Sequence, residues 1–414
     1  MVCLKKTVLA VLLALLIFGT SCLRPAGDGG AAVTEDNVAP DTAVSVDTEI
    51  NDTEKDTQNA ETEPAPAEKK TLSFIGCGDN IIYYGTWRDA ASKSDGTRKY
   101  SFKHIYKNVE SIISSADIAF INQETVCSQS FELESYPTFN SPVDLTHDIQ
   151  EIGFDIVSLA NNHMLDKGAQ GLRDSYDNWN ARGLTVVGAY EEKESGRYIT
   201  YYEKDGINIA LLAYTYGTNL SEDPAKKGLY APYLKQSDVA GDVKEARKSS
   251  DFVIVTVHWG EEGSFTPSEE QKKYAKIMAE NGADLIIGHH PHVIQPIEWL
   301  DGVDGTKTLC AYSLGNFVHE QARDYNVPGG IISLSIEKEG EGRAVIKDPA
   351  FIPTVCHFPS NFYNNTVYLL EDYTEELCNS HAVRTYYNNH ISLDGLKKYV
   401  TDTISEEFLP DYLK

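Results

Sequence analysis

Residues 252–260 read Phe-Val-Ile-Val-Thr-Val-His-Trp-Gly, and residues 285–292 read Leu-Ile-Ile-Gly-His-His-Pro-His. Each is a short apolar run that ends on imidazole, and the segment between them carries the signals of a helix. Ser268 and Gln271 stand three apart as a capping box, Tyr274, Ala275, Ile277 and Met278 share one face, and Gly282 supplies the stop. Similar runs occur at Leu72–Cys77, Ile118–Asn122, Ile156–Ala160, Thr185–Val187, Ile207–Tyr214 and Thr308–Leu314, alternating with amphipathic stretches. That alternation indicates an α/β fold. Ile331–Ile336 and Ala350–Val355 are expected to complete a second sheet, and residues 361–414 to form a mainly helical C-terminal extension.

Open α/β sheets bind ligands at the carboxyl ends of their strands, and polar clusters follow five of these runs. They are Gly78-Asp79, Asn122-Gln-Glu124, Asn161-Asn-His163 with Asp166, His258-Trp-Gly260 and Gly288-His-His-Pro-His292. Carboxylate and amide oxygens suit hard divalent cations, whereas Zn, Mn and Fe accept imidazole nitrogen as well. A mixed set of this kind suits one or two ions, and a pair about 3.5–4 Å apart clamps a phosphoryl group or similar oxyanion. Taken singly, each cluster has a plainer reading as a turn, a cap or a structural histidine.

The order Gly-Asp, Asn-x-Glu, Asn-Asn-His-x-x-Asp-x-Gly, His-Trp-Gly-x-Glu, Gly-x-His-Pro-His and Ser-Leu-Gly-Asn-Phe resembles the CapA-type capsule-synthesis (poly-γ-glutamate biosynthesis) family of the calcineurin-like metallophosphoesterase superfamily. The resemblance covers roughly residues 71–320. It implies a four-layer α/β/β/α sandwich over residues 71–360. It also implies Asp79, Glu124, Asn162, His258, His290 and His292 as ligands of divalent metal (Mn, Zn or Fe), His163 as general acid oriented by Asp166, and Glu262 and Asn316 as pocket residues that do not bind metal. His289 is left as a packing residue or a contact to the ligands, and the remaining histidines as structural or exposed. Two departures from ordinary metallophosphoesterases stand out. Asp-x-His becomes Asp79-Asn-Ile81, which removes a ligand, and the bridging carboxylate is Glu124 in place of the Asp of a Gly-Asp motif.

The chain of 414 residues has a formal charge of −26. Residues 1–22 contribute +2 and residues 23–70 contribute −8, leaving −20 on residues 71–414. Such a field argues against nucleic acid as a partner, and an anionic substrate needs a bound cation or a local basic pocket. Lys5 and Lys6 followed by the apolar run Val8–Phe18 read as an export signal, and Gly19-Thr-Ser-Cys22 resembles a lipoprotein cleavage box with Gly19 where an aliphatic residue is usual. Cys22 is therefore the expected lipidation site, tethering the chain to the outer face of a bacterial membrane; a cleaved signal with a spare thiol, or an uncleaved anchor, is the alternative. Residues 23–70, acidic and poor in large apolar side chains, read as a disordered spacer. Cys77, Cys127, Cys310, Cys356 and Cys378 show no CxxC spacing and are expected as buried thiols.

Two functions fit. One is a metal-dependent hydrolase or transferase acting on a phosphoester, or on an amide or ester of an anionic envelope polymer, with general phosphodiesterase activity as a variant. The other is a non-catalytic binding or anchoring component of capsule assembly, beside the membrane proteins of the synthase.

Overall fold

The computed structural model describes residues 68–191 and 196–414. The expected export signal, Cys22 and nearly all of the acidic spacer lie outside the described residues. Within them the strands are β1 (Lys69–Asn80), β2 (Ile118–Gln123), β3 (Ile156–Ser158), β4 (Thr185–Val187), β5 (Tyr190–Glu191), β6 (Thr200–Lys204), β7 (Ile207–Thr215), β8 (Leu229–Tyr230), β9 (Phe252–His258), β10 (Leu285–His289), β11 (Ile297–Asp301), β12 (Lys307–Ala311), β13 (Asn316–Val318), β14 (Pro328–Glu339), β15 (Val345–His357) and β16 (Thr366–Leu369).

They form two large sheets and one small one, in which β5 pairs antiparallel with β8. The first runs β16-β15-β14-β1-β2-β3-β4, with β13 paired to the end of β1, and the second runs β11-β12-β10-β9-β7-β6. In the second, the parallel strands β7, β9, β10 and β12 are flanked by antiparallel β6 and β11; in the first, parallel β1 to β4 run to one edge and antiparallel β14 to β16 extend the other side.

Alternation along the second sheet shows how the layers stack. Ile209, Leu211, Phe252, Ile254, Leu285, Ile287 and Leu309 belong to one apolar core, while Ala210, Leu212, Val253, Val255, Ile286 and Cys310 belong to another. The second group meets Val239, Val243 and Ala246 of the helix Val239–Lys248 and Ala275 and Met278 of the helix Glu269–Asn281. The first group faces the other sheet: a Cβ placed on Gly76 in β1 would lie 3.3 Å from the Ile287 side chain and 3.0 Å from that of Ile332. Helices Lys103–Tyr106, Glu110–Ser115, Asp144–Ile152 and Gly168–Asn180 contribute Ile105, Ile113, Ile149 and Leu172 to the core of the first sheet. The chain is thus the expected four-layer α/β/β/α sandwich. Strands buried on both faces explain why their sequences run apolar without a polar alternate.

The helix Glu269–Asn281 forms as its signals require. Ser268 Oγ accepts from the Gln271 backbone at 3.2 Å, Gln271 Oε1 accepts from the Ser268 backbone at 2.9 Å, and Gly282 ends it at φ 107°. The five described cysteines are buried and free.

One expectation needs correction. Ile331–Ile336 and Ala350–Val355 do not build a second sheet. They lie in β14 and β15, which extend the first, because β14 pairs antiparallel with β1 from Lys69 to Cys77 and covers an edge that would otherwise be open. The C-terminal segment is mainly helical as expected, at Glu375–Ser380, Ala382–Thr385 and Leu393–Thr403; it also supplies β16 to the first sheet, and Leu396, Val400 and Phe408 join the main core.

At the end of β10, Gly288 sits so close to its neighbours that an added Cβ would lie 1.9 Å from the Tyr312 carbonyl oxygen and 2.6 Å from Trp259 Nε1. Backbone cannot yield there as a flexible side chain could. Gly288→Ala is expected to lower stability in urea unfolding by about 1–3 kcal/mol, whereas Gly217→Ala, whose methyl meets nothing within 4 Å, stays within about 0.5 kcal/mol of the parent.

Candidate metal centre

The carboxyl ends of both parallel strand sets meet at one place. Asp79 ends β1, Glu124 follows β2, Asn161, Asn162 and His163 follow β3, His258 ends β9, and His289 ends β10 ahead of His290 and His292. All are buried.

Asp79 is the hub. Its Oδ1 accepts from Asn122 Nδ2 at 2.8 Å and lies 3.1 Å from His289 Nδ1; its Oδ2 accepts from the His290 backbone N–H at 3.2 Å and lies 3.2 Å from His292 Nδ1. Burial favours the neutral acid, but the hydrogen bonds and charges of His289 and His292 outweigh it and hold the carboxyl well below its ordinary range.

The His290-Pro-His292 turn is strained, with φ of 96° at His290 and 55° at His292. A non-glycine residue in this region costs on the order of 1–3 kcal/mol and persists only where its surroundings insist on it. Here the His292 carbonyl accepts from the side-chain amides of Asn316 (3.2 Å) and Asn326 (3.0 Å), while Asp79 holds the His290 N–H. Asn316 Oδ1 also lies 3.1 Å from His292 Nδ1. Its role is therefore to hold His292 in place.

Glu124 is the counterpart of Asp79. Both its carboxylate oxygens are buried without a protein hydrogen-bond partner, and the nearest imidazole nitrogens are His292 Nε2 at 3.6 Å and His258 Nε2 at 4.0 Å. Burial, aided by repulsion from Asp79, Glu262 and Asp166 and opposed by His292, raises its pKa well above the ordinary value. His258 Nε2 lies 2.9 Å from Asn162 Oδ1, which joins the two sheets across the site.

The residues fit a metal. Ligand atoms of Asp79, Glu124 and His258 lie within 4.8 Å of one another, as do those of Glu262, His290 and His292. Unpartnered buried donors at Glu124 and at His290 Nδ1 are what a cation would satisfy. Glu262, expected only as a pocket residue, stands among the candidate ligands because the loop after His258 carries it back beside the His290-Pro-His292 turn. Ile81, which replaces a ligand, is buried. His289 contacts Asp79 through Nδ1 and packs its ring against Phe120, so it supports Asp79 from below.

His163 stands at the rim of this centre. Its Nδ1 lies 2.7 Å from Asp166 Oδ2, which also accepts from the Phe139 backbone at 2.7 Å, and its ring meets Phe139 edge-on at 4.8 Å. Three contributors were not singled out from the sequence. Asn219 places Nδ2 3.3 Å from His163 Nδ1, accepts from Asn162 Nδ2 at 3.4 Å, and donates its backbone N–H to the Asn162 carbonyl at 2.7 Å. Tyr216 lies over His290 with ring centroids 4.7 Å apart. Tyr83 walls the other side, edge-on to Phe139 at 5.2 Å. The signal for the first two was their position after the run Ile207–Tyr214, at the same carboxyl edge as the recognised clusters.

The fold and site thus define an α/β/β/α protein with a buried carboxylate–histidine centre at the carboxyl ends of two facing sheets. The family profile described as "Bacterial capsule synthesis protein PGA_cap" matches residues 72–321, and the chain belongs to that family. It is 30% identical over 287 residues to "PGA biosynthesis protein CapA" of Bacillus subtilis (strain 168), covering 66% of this chain and 69% of that protein. It is 34% identical over 198 residues to "Capsule biosynthesis protein CapA" of Bacillus anthracis, covering 46% of each. Among solved structures, a calcineurin-like phosphoesterase from Bacillus subtilis overlaps at a TM-score of 0.39 with 14% identity, over 80% of this chain and 100% of that one. A NAD nucleotidase from Haemophilus influenzae overlaps at 0.41 with 13% identity, over 83% and 58%. These overlaps are too loose to bear on the fold, which rests on the two sheets described above.

Two predictions follow from the electrostatics. Because the folded state raises the Glu124 pKa, ionising this group at neutral pH opposes folding in the absence of metal. Glu124→Gln is expected to raise the melting temperature of chelator-treated protein at pH 7.5, by a stability gain of about 1–3 kcal/mol, and to abolish the further rise that divalent metal gives the parent. His292 is drawn down by burial, but Glu124 and Asp79 hold it up at about 9, whereas burial and the His292 charge bring His290 to about 3. Metal must then displace a proton from His292. Calorimetric titration should show affinity climbing between pH 7 and pH 9 with proton release, and a pH-independent affinity would contradict this assignment.

Proposed function

We propose that this chain is a lipid-anchored, extracytoplasmic metal-dependent hydrolase or transferase of capsule biosynthesis, acting on a phosphoester or on an amide or ester of an anionic envelope polymer. Membership of the capsule-synthesis family supports the process. The observation that carries the reaction is the His163–Asp166 pair, held at 2.7 Å beside a cradle of unpartnered buried metal donors. The anchor is Cys22, the neighbours are the membrane proteins of a capsule synthase, and the setting is the outer face of a bacterial membrane.

Asp79, Glu124, Asn162, His258, His290 and His292, with Glu262, would hold one or two divalent ions of the Mn, Zn or Fe type. Such an ion, when bound, supplies Lewis-acid stabilisation of negative charge developing on the substrate oxygens. The remaining work falls to the chain. Asp166 accepts the Nδ1 proton of His163, which leaves Nε2 as the atom that gives a proton to the departing oxygen or nitrogen. Asn219 fixes the imidazole from the opposite sheet, and Phe139 and Tyr216 shield the reacting atoms from bulk water. Since the body carries −20, the cations would also draw an anionic substrate into a field that otherwise repels it.

The competing reading, a binding component without catalysis, draws on Ile81, a buried aliphatic side chain that cannot serve as a ligand. The two separate in one experiment on the full-length protein. His163→Ala is expected to retain metal by elemental analysis while losing about 10²–10⁴-fold in phosphodiester turnover, and His290→Ala/His292→Ala is expected to lose both metal and turnover. Metal retained in His163→Ala with no turnover in the parent, and unchanged polymer output from cells carrying His163→Ala, would favour the binding component.

A further inference from the structure

Beside the helix Tyr84–Ser92 lies a cavity of about 430 Å³ lined in part by Tyr84, Arg88, Glu320, Phe362, Tyr386 and Tyr387. It adjoins the candidate centre. Tyr83 is the partition between them: its ring packs on Phe139, which packs on His163, and its hydroxyl bonds Gln321 and feels the charges of Glu124, Glu320 and Glu262.

Arg88 is held in an unusual way for a base in so acidic a body. Its guanidinium carbon lies 5.5 Å from the Tyr84 ring centroid and 4.7 Å from that of Tyr363, and Nη2 donates to the Asn361 carbonyl at 2.6 Å. Nε is buried with no protein hydrogen-bond partner. The neighbouring acid is already engaged, since Glu320 accepts from the Gly85 backbone at 3.2 Å and from Thr86 Oγ1 at 2.7 Å. Burial pushes its carboxyl up to about 7 in spite of those bonds. Arg88 is therefore a cation whose planar fork is oriented by two aromatic faces; its charge is felt by Glu320, but among the described residues no carboxylate pairs with it directly. The opposite wall is equally fixed. A Cβ on Gly85 would lie 2.5 Å from Glu320 Oε1 and 2.8 Å from Phe362 Cβ, so the Phe362 loop is seated directly on the start of the helix.

We infer that this cavity is a second subsite, which grips a carboxylate of an acidic amide-linked chain through Arg88 while the chain lies along Tyr84 and Tyr386 toward the metal centre. The inference rests on the reading of that centre as one that acts on an anionic envelope polymer. One guanidinium balances one negative charge, and the fork matches a carboxylate in a bidentate pair. Tyr84 and Tyr386 are exposed at 52% and 62%, and their hydroxyls both donate and accept, as amide N–H and C=O groups require. A phosphodiester chain offers acceptors only.

The test is binding of a fluorescently labelled glutamate oligomer to the full-length protein, followed by anisotropy with metal chelated so that turnover cannot intervene. Arg88→Gln is expected to weaken binding at least tenfold and Tyr386→Ala several-fold, with Lys248→Gln, on a remote helix, as the control that binds like the parent. Thermal melts accompany each variant, and Tyr386→Ala, on an exposed ring, carries the test if Arg88→Gln melts early. Absence of binding by the parent, or equal affinity in Arg88→Gln and Tyr386→Ala, would overturn the subsite, and displacement by poly(glycerol phosphate) as effective as by unlabelled oligomer would overturn the carboxylate assignment. Failure of the catalytic reading shows elsewhere, as undiminished turnover in His163→Ala, and leaves this binding result standing on its own.

Discussion

The buried carboxylate of Asp79 organises this molecule. It closes β1 of the first sheet and takes hydrogen bonds or charge from Asn122 on its own sheet and from His289, the His290 backbone and His292 on the other. A lone anion in such a place would be costly to desolvate. Four partners convert that cost into a fastening between the two sheets, alongside the Asn162–His258 contact across the site, and the strained His290-Pro-His292 turn is held in shape from the same point.

A few ångströms away Glu124 has the same chemistry and the opposite circumstances. The contrast between a satisfied carboxylate and an unsatisfied one separates a structural group from one prepared for a ligand. Two acids so close together rarely share one role, because the charge of the first raises the proton affinity of the second. Here the division follows hydrogen bonding: Asp79 uses the donors within reach, and Glu124 is left with imidazole nitrogens beyond hydrogen-bond distance.

Much of this was legible in the chain. The strands of the parallel centres are apolar on both faces and so appear as continuous runs, and the capping box at Ser268 and Gln271 with the glycine stop at Gly282 is a local signal that needs no tertiary context. The clusters at strand ends could be read because parallel strands deliver their carboxyl ends to one edge. What escaped was decided by long-range pairing. Nothing near Ile331 says which sheet it joins, since the partner is β1, more than two hundred residues earlier. Asn219 and Tyr216 carry no motif of their own and matter only because the facing sheets bring the loop after β7 beside the loop after β3. Glu262 lies four residues after His258 in sequence, yet its neighbours in space are His290 and His292, an effect of loop path that spacing cannot reveal.

The placement of β1 has a mechanical consequence. This strand is the first element of the described body, and it lies inside its sheet, paired parallel to β2 on one side and antiparallel to β14 on the other. A pull applied at residue 68 would therefore run along the strand axis and load both ladders in shear, so that many backbone bonds must fail together instead of peeling one at a time. At the far end of the same strand is Asp79. Tension on the leading end of the body would be felt directly at the carboxylate that fastens the two sheets, making that end and the centre parts of one load path.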